Sequence, residues 1–341
     1  MSGGSPRPGT GTPRLTARAS RGGIAGKKFI VAVDGSIQSI RCLHLTAAII
    51  KPSFQDVVQL VTVSVGITLK ADPDAALSLT SGQKLTPEEL LQASKAELVS
   101  HGVPVKLITT QMVDPDELTI AEALVAETRT LRRGVGLLVI GNAGKGMEKR
   151  GKPPPTGHGS VAAHVLERCR CPVVLVRGGV DGGASAPPSP PLRPPMLLLV
   201  CIDGNLSKQV FDTAVHFARD GDTLQLVHVL TTYPDELERQ SRYWDMETQK
   251  LRASHEGLSL ATAILPLRPR SSVADTLIAH CAEVQPGMVV LAAVELMKTS
   301  RQDQVDDGQR HQQPPLLGSV ALAMAASCTT PVCITRNFSA L

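Results

Sequence analysis

Aromatic side chains are scarce: one Trp, two Tyr and five Phe make up 2% of the chain. Any core must therefore be filled by Val, Leu, Ile and Ala, and a formal charge of only +4 with so few rings argues against a nucleic-acid partner. Long apolar runs are missing as well. None approaches the ~20 residues needed to cross a bilayer, so no membrane partner is expected. Paired cysteines of the CxxC type are also missing. Cys169 and Cys171 are separated by one residue, while Cys42, Cys201 and Cys333 sit inside apolar patterns as small hydrophobes. Seven cysteines with no secretory leader ahead of them point to a reduced, cytoplasmic compartment. Acidic residues are absent from residues 1–27, which contain Arg, Ser, Thr, Gly and Pro without an apolar face and read as a disordered basic tail.

What is present, at 42% hydrophobic in 341 residues, suffices for two aliphatic cores. Phe29–Val33 reads as a strand, and Asp34-Gly35-Ser36 as a turn whose serine caps a helix through Ile50. Val57–Val63 is a strand. Thr86-Pro87-Glu88-Glu89 opens a helix with a capping box and proline at its first position. A strand near Val105–Thr109, a helix from Asp114-Pro115-Asp116-Glu117 to Arg133 and a strand at Leu137–Ile140 follow. Ser160 caps a helix over Val161–Arg168, and Val173–Val176 is the last strand before a Gly/Pro linker at 178–195. Strand–helix alternation restarts at Met196. The expected division is therefore a tail (1–27), a first domain (28–177), the linker and a second domain (196–337). Such alternation means βαβ units and a parallel sheet covered by helices on both faces.

The two halves repeat. Gly159-Ser160-Val161-Ala162 matches Gly318-Ser319-Val320-Ala321 at an offset of 159, which also carries Cys169 onto Cys328, Pro172 onto Pro331 and Arg177 onto Arg336. Val33-Asp34-Gly35 likewise matches Ile202-Asp203-Gly204. Agreement at both ends of each half marks a tandem duplication.

In an open parallel sheet, ligands bind beyond the carboxyl ends of the strands where strand order reverses. With the first and fourth strands flanking that point, Asp34 and the Gly141 loop share a crevice. Asp34 can accept hydrogen bonds from a ribose or adenine. Gly141, Gly144 and the N–H groups of Gly159, Ser160 and Val161 can hold phosphates. Lys145, Lys149, Arg150, Lys152 and His158 add positive charge, although such a run is also what a solvated surface carries. The stretch Gly146–Lys152 fits GxxxxGK, but Pro153 follows where a P-loop needs Ser or Thr, so magnesium would lose its hydroxyl ligand.

These residues resemble the universal stress protein family: a strand ending in aspartate (VAVDGS, 31–36), a late Gly141-x-x-Gly144, then Gly159-Ser160 before a helix and the strand Cys171-Pro172-Val173-Val174-Leu175-Val176. The resemblance implies α/β architecture with two tandem doubly wound domains, each a five-stranded parallel sheet of order 3-2-1-4-5. It also implies ATP as ligand, with or without magnesium. Ala32, Val33, Asp34 and the backbone near Val63 would face adenosine; Ile140, Gly141, Gly144, Gly159, Ser160 and Val161 would face phosphates. Two departures stand out. Gly144 and Gly159 enclose 14 residues, five more than the nine of the family pattern. In the second copy Ala292-Ala293-Val294-Glu295 replaces GxxG, so that copy is expected to bind no ATP and to pair with the first through Val173–Val176 and Val332–Thr335. Further association of whole chains stays open. No general base or metal-binding carboxylate pair stands beside the loop, apart from His158. The readings are thus an ATP-binding stress or signalling protein, an interaction module without nucleotide, or a slow ATPase.

Overall fold

The computed structural model describes residues 26–64, 69–70, 84–114, 118–131, 136–142, 159–177, 195–202, 207–230, 258–267, 269–293 and 317–336, with parts of a helix between 238 and 253. The basic tail, the linker and Trp244 lie outside the described residues.

Strand β1 (Lys28–Ala32) alternates strictly: Phe29, Val31 and the following Val33 enter one core, and Ile30 enters the other. A period of two that is apolar on both faces is what a strand sandwiched between helices requires. Gly35 turns the chain with a φ of +71°, in the left-handed region that glycine favours. Ser36 then caps α1 (Ile37–Ile49), its hydroxyl accepting the Ser39 N–H at 3.2 Å. Strand β2 (Val57–Val63) follows, then a short antiparallel pair, β3 (Leu69–Lys70) with β4 (Lys84–Leu85). The capping box expected at Thr86 and Glu89 is formed and opens α2 (Pro87–Ser100), which ends where Gly102 adopts a φ of +83°.

Two local expectations are corrected. Pro104 leads into a 3-10 turn over Val105–Leu107, so β5 runs Ile108–Val113. The next helix, α3 (Ile120–Arg129), starts at its N-cap Thr119, where Thr119 and Glu122 cap each other, and ends at Arg129; residues 115–117 and Arg133 of the expected span lie outside the described residues. The half closes with β6 (Gly136–Gly141), α4 (Ser160–Arg168) and β7 (Val173–Val176). The second half comprises β8 (Leu197–Cys201), α5 (Ser207–Phe217), β9 (Thr223–Leu230), β10 (Ser259–Pro266), α6 (Val273–Val284), β11 (Met288–Ala293), α7 (Ser319–Ser327) and β12 (Val332–Arg336).

The strands do not form two separate sheets, as the sequence reading expects. They build one ten-stranded sheet, β10-β9-β8-β11-β12-β7-β6-β1-β2-β5, parallel throughout except at β12–β7. Joining these two strands removes a pair of exposed edges, each lined with unpaired backbone groups. The register there is symmetric: Val173 faces Ile334, Val174 faces Cys333 and Leu175 faces Val332. At the repeat offset, Val174 faces its own counterpart and its neighbours exchange partners, the pattern of an isologous contact.

Helices α1, α2 and α5 cover one face and α3, α4, α6 and α7 the other, and each hydrophobic core runs unbroken through both halves. Basic side chains lock the joint reciprocally. On one face the Lys51 Nζ donates to Val215 O (3.1 Å), while Arg219 donates to Ala47 O (3.0 Å) and Ile50 O (2.7 Å). On the other, Arg177 donates to Ala326 O and Arg336 to Leu166 O. Each cation thus satisfies carbonyls at the end of a helix in the opposite half, where the helix dipole also favours positive charge.

Candidate functional site

The connection β1–α1–β2 leaves β1 towards one side of the sheet, and β6–α4–β7 leaves β6 towards the other. Because α1 and α4 lie on opposite faces, the carboxyl ends of β1 and β6 form the switch point at which open parallel sheets place a ligand crevice. These strands are direct neighbours, with Val31 opposite Val139. Asp34, just beyond β1, and Gly141, the last residue of β6, therefore stand at one edge.

Most of the expected residues meet there, but in unequal roles. Ala32 and Val63 end β1 and β2 and are half-buried. Val33 and Ile140 are core residues, 3% and 4% exposed, and can offer a ligand only backbone. The Val33 N–H is already given to Val61 O (2.9 Å), so its donor is committed to the sheet. Asp34 is half-buried, and its Oδ1 accepts both the Ser36 N–H (3.0 Å) and the Ser36 hydroxyl (2.6 Å). That contact fixes the carboxylate in the turn and leaves Oδ2 without a hydrogen bond among the described residues. Burial pushes the Cys42 thiol well up, and the nearby charge of Asp34 pushes it in the same direction.

The phosphate side differs from expectation in two respects. The N-cap of α4 is Gly159 rather than Ser160, which is the first helical residue and exposed. The Gly159 N–H is not available to an anion either, since it donates to Asn142 O at 2.8 Å. Asn142 in turn donates its N–H to Val176 O (2.9 Å), tying the loop's two ends to β7. The first intrahelical bond of α4 runs from Ala163 N–H to Gly159 O (2.9 Å), so the N–H groups of Ser160, Val161 and Ala162 emerge at the helix start. Gly144 and the basic residues 145–158 lie outside the described residues.

In the second half, the register Ala292–Thr335 occupies the place that Gly141–Val176 holds in the first. A methyl group thus stands where the first half has bare backbone. Gly318 caps α7 as Gly159 caps α4; Asp203 and Glu295 lie outside the described residues.

The sequence reading missed the buried aspartates. Asp56 accepts the N–H groups of Lys27 (2.8 Å) and Lys51 (2.9 Å), and His216 from the other half lies 3.3 Å from its Oδ2. Asp222 plays the same part for Met196 and Arg219, each at 2.8 Å. Their signal was an aspartate placed directly before an apolar strand in both halves. No described helix is long and apolar enough to cross a membrane.

No curated protein matches the chain. Among solved structures, a functionally unknown protein from Pseudomonas aeruginosa covers 92% of this chain and 93% of its own, at 14% identity and a TM-score of 0.53. A universal stress protein from Archaeoglobus fulgidus covers 92% of this chain and 97% of its own, at 12% identity and a TM-score of 0.50. At such identities the likeness is one of fold, and it extends through both halves. Residues 26–177 match the model of the universal stress protein family.

Proposed function

We propose that the chain is a tandem universal stress protein whose first half binds ATP, with or without magnesium, at the crevice between β1 and β6. The observation that carries this reading is the contrast at one register position: Gly141 leaves backbone open where Ala292 presents a methyl group. Asp34 offers its Oδ2 to a ribose hydroxyl, and the N–H groups of Ser160 and Val161 offer donors to phosphate. The second half binds no nucleotide and serves as a built-in partner, its β12 completing the sheet beside β7. The reading extends to a signalling role in the cytoplasm.

A melting experiment tests it. ATP at 100 times its dissociation constant should stabilise the folded chain by ~2.7 kcal/mol. An unchanged melting temperature at millimolar ATP would remove the reading. One observation favours the interaction module instead: the Gly159 N–H, which a phosphate would use, is already spent on Asn142. On that reading ATP has no effect on melting, and the protein purifies free of adenine nucleotide by mass spectrometry.

A further inference from the structure

Away from the crevice, α1 and α2 bring three side chains to one point. His44 lies two turns into α1, Glu97 lies one turn before the end of α2, and His101 is that helix's C-cap. Glu97 and His101 share a face because they are four residues apart. Both imidazole Nε2 atoms point at the same carboxylate oxygen, Glu97 Oε1, at 2.7 Å from His44 and 3.2 Å from His101. The two rings lie 4.5 Å apart, and one ligand atom from each residue falls within 4.8 Å of the others. The side chains are 18%, 19% and 15% exposed for His44, Glu97 and His101, so an ion could reach them while most of each is withdrawn from water.

We infer that His44, Glu97 and His101 form a binding site for one divalent transition-metal ion of the zinc and cobalt class. Bonds of 2.0–2.2 Å to a tetrahedral ion hold its ligand atoms about 3.3 Å apart; each imidazole stands 2.7 or 3.2 Å from the carboxylate, and all three ligand atoms lie within 4.8 Å of one another. Two imidazoles and one carboxylate suit Zn²⁺, Co²⁺, Ni²⁺ or Cu²⁺. Magnesium and calcium, which need several oxygen donors, find one carboxylate here. Three protein ligands leave a fourth position for water or a partner's side chain. The ion would also clip α1 to α2, joining elements 53 residues apart at His44 and Glu97.

The test uses the full chain, reduced with a phosphine and titrated with Co²⁺, followed by visible absorption and by melting. The site predicts one equivalent bound, d–d bands without a thiolate-to-cobalt charge-transfer band, and a raised melting temperature. His44→Gln, Glu97→Gln and His101→Gln should each weaken binding tenfold or more, while His280→Gln should leave it unchanged. Melting of each metal-free variant checks its fold, and His101→Gln, at a helix end, carries the comparison should His44→Gln unfold. Absence of saturable binding, a sulfur charge-transfer band, or triad variants that bind within twofold of the parent would each overturn the inference.

Discussion

Asp56 illustrates how one side chain can serve two halves of a molecule. It is fully buried and holds the backbone entering β1 and β2, and it meets His216 of α5. Burial alone would raise its carboxyl, but the nearby His216 imidazole and the bonds from the Lys27 and Lys51 N–H groups outweigh that and hold it below the usual range. Asp56→Ala should therefore cost about 3 kcal/mol or more in urea unfolding, because it strands buried donors and an imidazole together. His216 moves the other way from a paired histidine. Burial lowers its proton affinity, and the nearby Lys27 and Lys51 lower it further, more than Asp56 restores it. Between the ordinary histidine value, about 6.5, and the lower folded value, the unfolded chain binds the extra proton. Stability should thus fall as pH drops below about 6.5. His44 and His280 are shifted in the same direction, chiefly by burial, so His216→Gln should reduce that slope without abolishing it. An unchanged slope in a melting series from pH 8 to 5 would exclude His216 as a contributor. Residues of this kind are hard to find from sequence: an aspartate before a strand is visible, but its partner 160 residues away is not.

Elements were legible where a local chemical signal had no competitor. Thr86-Pro87-Glu88-Glu89 encodes cap, proline and reciprocal glutamate in consecutive residues, and the helix starts there. Before α3 two signals overlapped. Asp114-Pro115-Asp116-Glu117 offers one start and Thr119 with Glu122 another, and the structure uses the second, with hydroxyl and carboxylate satisfying each other's backbone N–H groups. Thr119→Ala should accordingly destabilise the chain by about 1 kcal/mol, read as a shifted urea midpoint at constant slope. Loss of under a few tenths would return the helix start to the aspartates. The Val105–Thr109 run misled because three apolar or long residues after Pro104 look extended, whereas the chain makes a turn before entering β5. At the crevice, the ends of β1 and β6 were readable. The Gly159–Asn142 bond was not, since it joins the two ends of a loop whose path no spacing reveals.

At the scale of the molecule, a constant offset of 159 links the two halves in the sequence, and β12 pairs with β7, the final strands through which pairing was expected. What the sequence did not reveal is that the joint makes one sheet with two through-running cores. Continuous cores predict a single cooperative transition for residues 26–336 in calorimetry, with van't Hoff and calorimetric enthalpies equal; two resolved transitions would show halves that melt independently. The reciprocal caps sharpen this. Arg177→Ala combined with Arg336→Ala should lower the melting temperature more than either change alone, because each removes the donor to a different helix end.

The asymmetry between Gly141 and Ala292 is what the proposed function rests on, and calorimetric titration of the full chain with ATP addresses it most directly. The account predicts one site per chain, lost in Gly141→Val and kept in Ala292→Val. Two sites, none, or a site that survives Gly141→Val and disappears with Ala292→Val would contradict it.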